Sequence, residues 1–296
     1  MAWRQWAILG SAARPTSPTT SRCIIDPEAL ILLSLTIRKE ERRLEEMVSW
    51  WARVGSPLTS VQRMKSVVNQ FEENSHASLA IFASLAAASG HRSWKRYAAG
   101  ELLPTFLSET RGQSTLQLIA PATLMLRLRA AFGVGAKPDV LAYLIGTHNG
   151  SDSVSMISTA VGYTKKAVRD AVKDMVLAGL VHETSNRPAH YKTNRRLWID
   201  LLRFEESEKR NRPTWCMWVP IFGFLLMARR LATSALSGDQ NEHVTASLAR
   251  DVVDRFQDAF QHHEISLPQK TSFSGRSFSE AFLIVTESLS HWLEEV

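Results

Sequence analysis

Cysteine is scarce: among 296 residues there are two, Cys23 and Cys216, far apart and without a CxxC or Cys/His spacing around either. That pattern excludes a zinc ribbon and argues against a disulfide framework. The expectation is two reduced, packed thiols in a cytoplasmic protein. Long apolar runs are missing too. The longest, Trp215 to Met227, falls short of the roughly 20 residues that cross a bilayer and is interrupted by Pro220 and Gly223. Patterns that carry catalysis are also absent. There is no GxxxxGK[ST] phosphate loop, no GxSxG elbow, no HExxH and no paired carboxylate in a glycine-rich frame. Gly133-Val134-Gly135 is only a GxG fragment, and it follows a helical pattern rather than a strand. The chain therefore reads as a non-enzyme without cofactor or metal.

What is present is an ordinary globular composition, 45% hydrophobic and 22% charged, in a chain long enough for two or three domains. The net charge of +6 is unevenly spread. Residues 1–136 and 137–196 both carry a basic surplus, whereas residues 205–296 carry an acidic one. A basic front suits a polyanion and an acidic rear suits a partner or plain solvent.

The N-terminal segment 1–23, with Pro15 and Pro18 among Ser and Thr, reads as a disordered lead-in. Residues 24–110 read as a helical domain. Asp26 is placed to cap a helix that has Pro27 at its first position, and a second helix runs from Glu40 to Val54. Ser60 caps a third, and an Ala-rich helix spans Ser75 to Ala88. The cations Arg38, Lys39, Arg42, Arg43, Arg63 and Lys65 form either a solvated face or contacts to DNA phosphates.

Residues 120–200 carry the clearest pattern. A helix after Pro121 buries Leu124, Leu128 and Ala131, with Arg127 and Arg129 outward, and closes at Gly133. Another spans Lys137 to Ile145 and is followed by a turn at 147–150. Ser153 caps a short helix with Met156, Ile157 and Ala160 inward, and Gly162 bends the chain. Thr164 then caps a helix whose apolar stripe is Val168, Ala171, Val172, Met175 and Val176. Lys165, Lys166, Arg169 and Lys173 fall on the opposite side. After Gly179, residues 181–184 and 190–193 pair as a hairpin with Arg187 at its tip. A basic face on the second helix of a bent pair is what entry into a major groove requires.

The run Tyr163-Thr164-Lys165-Lys166-Ala167-Val168-Arg169-Asp170-Ala171-Val172, with Leu177-Ala178-Gly179-Leu180-Val181 before the hairpin, resembles the winged helix-turn-helix regulators of the arsenical-resistance and multiple-antibiotic-resistance type. The resemblance spans residues 124–196 at most. It implies a mainly α protein in which a winged helix-turn-helix is flanked by N- and C-terminal helical domains. The implied function is a transcriptional regulator that reads double-stranded DNA with helix 164–178 and a basic wing, 181–196. Its expected DNA-binding residues are Ser155, Tyr163, Thr164, Lys165, Lys166, Arg169, Lys173, Arg187, His190, Lys192, Arg195 and Arg196. The cysteine ligands of the arsenical-type sensors have no counterpart near the recognition helix, so metal sensing does not carry over. The rival reading is a winged-helix protein-interaction module. A third has the helical segments sensing a small-molecule effector.

Residues 201–296 read as a C-terminal helical domain. Leu197 to Arg210 is helical, and Trp215, Trp218, Phe222, Phe224 and Leu225 form an apolar patch that is either a buried helix or a homodimer interface. Amphipathic helices follow over Glu242 to His262 and Ser279 to Leu293. His262-His263 reads as a solvated helix end.

Overall fold

The computed structural model describes residues 1–11, 21–71, 75–99, 115–147, 150–185, 187–204, 212–236, 242–265 and 276–295. Pro15 and Pro18 of the expected lead-in, His148 and Asn149 of the turn, Asn186 at the hairpin tip, residues 205–211 and the side chain of Ala281 lie outside them. The protein is mainly helical. In chain order the helices are α1 (Ala2–Ile8), α2 (Pro27–Thr36), α3 (Arg43–Val54), α4 (Val61–Val68), α5 (Ser75–Ala88), α6 (Leu124–Phe132) and α7 (Ala136–Gly146), then α8 (Val154–Val161), α9 (Lys165–Leu177), α10 (Arg195–Leu201), α11 (Trp218–Leu236), α12 (Glu242–His262) and α13 (Arg276–Glu295). Three short strands, β1 (Asp152–Ser153), β2 (His182–Glu183) and β3 (His190–Lys192), make one antiparallel sheet in the order β1-β3-β2.

The chain divides into two compact units. One is mostly Met217–Val296, and the other holds Ala2–Asn69 and Asn74–Cys216. Residues on both sides of the division expected between 110 and 120 fall in this second unit. Helices α1–α10 share one unit, within which a buried ionic centre joins α2, α4, α6 and α7. Asp26 and Glu28, from the start of α2, meet Arg63 of α4. Arg63 donates to both carboxylates, at 2.6 Å to Asp26 Oδ1 and 2.6 Å to Glu28 Oε2. Arg129 of α6 donates to Glu28 at 2.7 Å and holds Asp139 of α7 through two bonds of 2.7 Å. All five side chains are buried. Ionised groups removed from water persist only with such multiple, charge-assisted partners. Arg129, expected outward on its helix, is thus a core residue, and Arg63 is no solvated cation.

Local signals hold where the interaction is local. Asp26 accepts from Ala29 N–H, Ser60 from Arg63 N–H, Ser153 from Met156 N–H and Thr164 from Ala167 N–H, each capping its helix. Residues 1–23 are not all lead-in, because α1 buries Trp6 and Ile8. Trp6 donates its indole N–H to Ser34 at 3.0 Å, which satisfies the polar atom of an otherwise apolar ring.

The expectation of free thiols is also corrected. Cys23 and Cys216 form a disulfide, with Cα atoms 5.6 Å apart across a sequence separation of 193. Backbone pairing brings them together. Ile24 N–H donates to Thr214 O and Thr214 N–H to Arg22 O, both at 2.8 Å, while Trp215 N–H donates to Gly146 O at 2.9 Å. Gly146 leaves room for this crossing, since a Cβ there would come within 2.8 Å of Trp215 N. The expectation of a reducing compartment rested on thiols that this pairing removes.

In the other unit, Phe224 of α11 packs on Phe260 of α12 (ring centroids 4.7 Å) and Phe282 of α13 (5.7 Å), and Trp218 packs on Phe222 and Trp292. Trp218, Phe222 and Phe224 are buried within the chain itself. Helices α12 and α13 thus cover Trp218 and Phe224, while Trp215 of the predicted patch packs on Tyr143 of α7 in the unit of α1–α10. His263 is not a solvated end: its Nε2 accepts from Met217 N–H at 2.9 Å, ahead of α11. No group of three or more potential metal ligands occurs among the described residues, and no described helix is long and apolar enough to cross a membrane.

Candidate nucleic-acid interface

Helices α7, α8 and α9 pack on one another, and the apolar stripe of α9 faces inward with Val168, Ala171, Val172 and Met175 buried. Between α8 and α9, Gly162 takes the left-handed conformation (φ 71°) and closes α8 with its N–H on Ser158 O. A left-handed residue with a Cβ costs roughly 1–2 kcal/mol. Replacing Gly162 with Ala should therefore lower the thermal midpoint of the folded chain by a few degrees, measurable by circular dichroism.

The turn is anchored from outside the local sequence. Arg63 Nε donates to Val161 O at 2.7 Å, so one guanidinium ties the last residue of α8 to the buried carboxylates of α2. Burial disfavours the Arg63 charge, but the carboxylates of Asp26, Glu28 and Asp139 together outweigh this and raise its pKa above the ordinary value. Nothing in the spacing around Arg63 marks this role, since its partners lie 35, 37 and 98 positions away.

Tyr163 is corrected: it is buried at 6% exposure, and its hydroxyl donates to Ser60 Oγ at 3.1 Å. Burial, with Asp139 nearby, pushes its pKa up, so the phenol stays protonated. It is a packing residue and no surface for a ligand. Met156 departs the other way; expected inward, it is 48% exposed.

The remaining predicted residues fall on two surfaces. Lys165, Lys166, Arg169 and Lys173 are exposed on α9, with Thr164 exposed at its cap and Ser155 exposed on α8. The basic face also holds two acids. Asp170 lies 3.7 Å from Lys166, and Asp174 pairs with Lys137 of α7 at 2.8 Å. These exposed pairs are worth little in water.

The second surface is the sheet. Strand β3 lies in its middle, with Tyr191 buried, His190 half-buried and Lys192 exposed, and Arg187 is exposed in the loop from β2. Burial raises the Tyr191 hydroxyl, Glu183 adds to this, and the charge of Arg169 opposes it. Strand β1 went unpredicted, because two residues have no periodicity of their own; their partners, Tyr191 and His190, define them. Asp152 in β1 is buried and accepts from the Tyr143 hydroxyl at 2.8 Å, tying the sheet to α7.

Arg195 and Arg196 do not extend the hairpin. They form the first turn of α10, which Asn194 caps. Arg195 is half-buried, and lost hydration together with the charge of Arg212 lowers its pKa. Of the predicted residues, Ser155, Thr164, Lys165, Lys166, Arg169, Lys173, Arg187, Lys192 and Arg196 are thus exposed, and His190 and Arg195 are half-covered. Compared with protein-family models, curated proteins and solved structures, the chain matches none.

Proposed function

We propose that α7, α8, α9 and the three-stranded sheet form a winged helix-turn-helix that binds duplex DNA, in a regulator acting as a homodimer on a two-fold site. The observation that carries this reading is the two-sidedness of α9. One side is packed on α7 and α8, and the other presents Lys165, Lys166, Arg169 and Lys173 immediately after the left-handed turn at Gly162. The first turns of such a helix reach base edges, while Arg187 and Lys192 of the sheet meet phosphates.

Replacing Lys166 and Arg169 together with Ala should weaken binding by about 1–3 kcal/mol per base-reading side chain and relax sequence preference. Selection of bound sequences from random duplexes, followed by gel-shift titration, measures both. An inverted repeat with half-sites about one helical turn apart is expected. Unchanged binding by the double variant would remove α9 from the recognition role.

One observation favours a protein-interaction module instead: Asp170 and Asp174 on the exposed side of α9 offset part of its charge. Salt separates the two readings. Binding to DNA must weaken as counterions compete, whereas an apolar protein contact is little affected.

A further inference from the structure

We infer that a second basic surface, formed by Lys65, Arg92, Lys95 and Arg96 around Tyr97, grips the phosphate backbone of the same duplex DNA alongside α9. This inference rests on the DNA-binding role proposed for α9 and extends its footprint to helices outside the helix-turn-helix.

The first observation is composition. From Met47 to Phe71, and again from Ser75 to Gly100, the sequence contains no Asp or Glu. The elements built from these residues, α4, α5 and a 3-10 turn over Arg92–Tyr97, pack together, with Trp94 buried edge-on against Phe82 at 4.9 Å. Burying Trp94 turns its neighbours Arg92, Lys95 and Arg96 to solvent, and Lys65 of α4 is exposed as well. None of these four makes an ion pair with another described residue.

The second observation is that the fold concentrates these charges. Lys65 Nζ lies 5.5 Å and the Arg96 guanidinium 4.6 Å from the centre of the Tyr97 ring, so cations from two separate elements share one aromatic ring. Cations held this close, without a carboxylate from the elements they pack on, repel one another until a polyanion neutralises them.

The third observation is continuity with α9. Gln62, Arg92 and Ser93 line a cleft of about 580 Å³ together with Val134 and Gly135. The same two residues, with Lys137, line a smaller cleft of about 280 Å³ against Ala167 and Ala171 of α9. The two clefts thus meet at Val134 and Gly135, with Arg92 on one and α9 on the other. No base-reading geometry is implied; exposed Lys and Arg side chains around a shallow cleft suit phosphates.

The test uses the full chain and the duplex obtained by selection, flanked by about 15 base pairs of arbitrary sequence on each side. Binding is measured over a range of salt concentrations for the wild type, for R92A/K95A/R96A and for the charge-preserving R92K/K95R/R96K. Each phosphate deprived of its cation should reduce the slope of log K against log salt by about 0.9. The alanine variant should therefore show a slope smaller by about 2–3 and bind tenfold or more weakly at low salt. Its sequence preference should be unchanged, and the charge-preserving variant should restore the slope. Trimming the flanks should lower the wild-type slope towards that of the alanine variant. If the alanine variant does not fold, the single exchange R92A should still reduce the slope by about 0.9. Wild-type slopes in all these variants, with preference still relaxed in K166A/R169A, would overturn the second surface and leave the α9 reading standing. A wild-type chain that binds no duplex would overturn both.

Discussion

Exchanging Arg129 for Met should cost about 3–5 kcal/mol of folding stability, among the largest effects a single side chain can have here. Arg129 is fully buried and supplies two bonds to Asp139, two to Glu28 and one to Leu58 O. Met fills the space but leaves two buried carboxylates short of a counter-charge. A urea titration followed by circular dichroism should show a lower midpoint, and the paired exchange R129M/D139N should recover part of the stability because the unpaired charge is gone. Equal midpoints for wild type and R129M would show that the ionic centre contributes nothing.

The pH dependence of this variant has a definite sign. Burial raises the Asp139 carboxyl above its ordinary value, with Arg129 opposing. Without Arg129 it rises further, so the folded chain holds a proton that the unfolded chain releases. Stability of R129M should then increase as the pH is lowered from neutral towards 5. The Asp26 carboxyl behaves oppositely. Burial would raise it, but Arg63 more than offsets this and holds it below the ordinary value. Its contribution is present above the usual carboxylate range and is lost as pH falls through its folded value, so the wild type should lose stability in strong acid.

Breaking the Cys23–Cys216 disulfide is expected to cost about 2–5 kcal/mol. Its cysteines are 193 positions apart. The main effect is on the unfolded chain, which regains the freedom of a very large loop. In the folded chain the backbone bonds among Arg22, Ile24, Thr214, Trp215 and Gly146 hold the same crossing without the sulfur bond. C23S and C216S should each unfold at lower urea than the wild type, and a dithiol reductant should bring the wild type down to the same midpoint. A wild-type midpoint indifferent to reductant would mean that the two sulfurs are not joined in solution.

The ionic centre and the disulfide also mark where reading along the chain stops. Asp26, Ser60, Ser153 and Thr164 announce their helices because a cap and the N–H it satisfies lie three residues apart. The apolar stripe and exposed lysines of α9 were legible for the same reason, since a helix repeats its own faces. Tyr163, expected at the surface, is buried beside the left-handed turn at Gly162, and no local pattern marks which way it faces. What decides is Ser60, 103 positions upstream.

The sequence by itself determined a mainly helical chain, the position and capping of most of its helices, and a basic outer face on α9. These follow from interactions within one or two turns, which any segment carries wherever it is placed. Only the tertiary structure decided that Arg63 and Arg129 are core residues, that Cys23 meets Cys216, that β1 exists and that the N-terminal helices share a unit with α7–α9. Each of those depends on groups far apart in the chain. A buried charge or a two-residue strand has no meaning until its partner arrives, and the partner's arrival is set by the packing of the whole unit rather than by any local pattern.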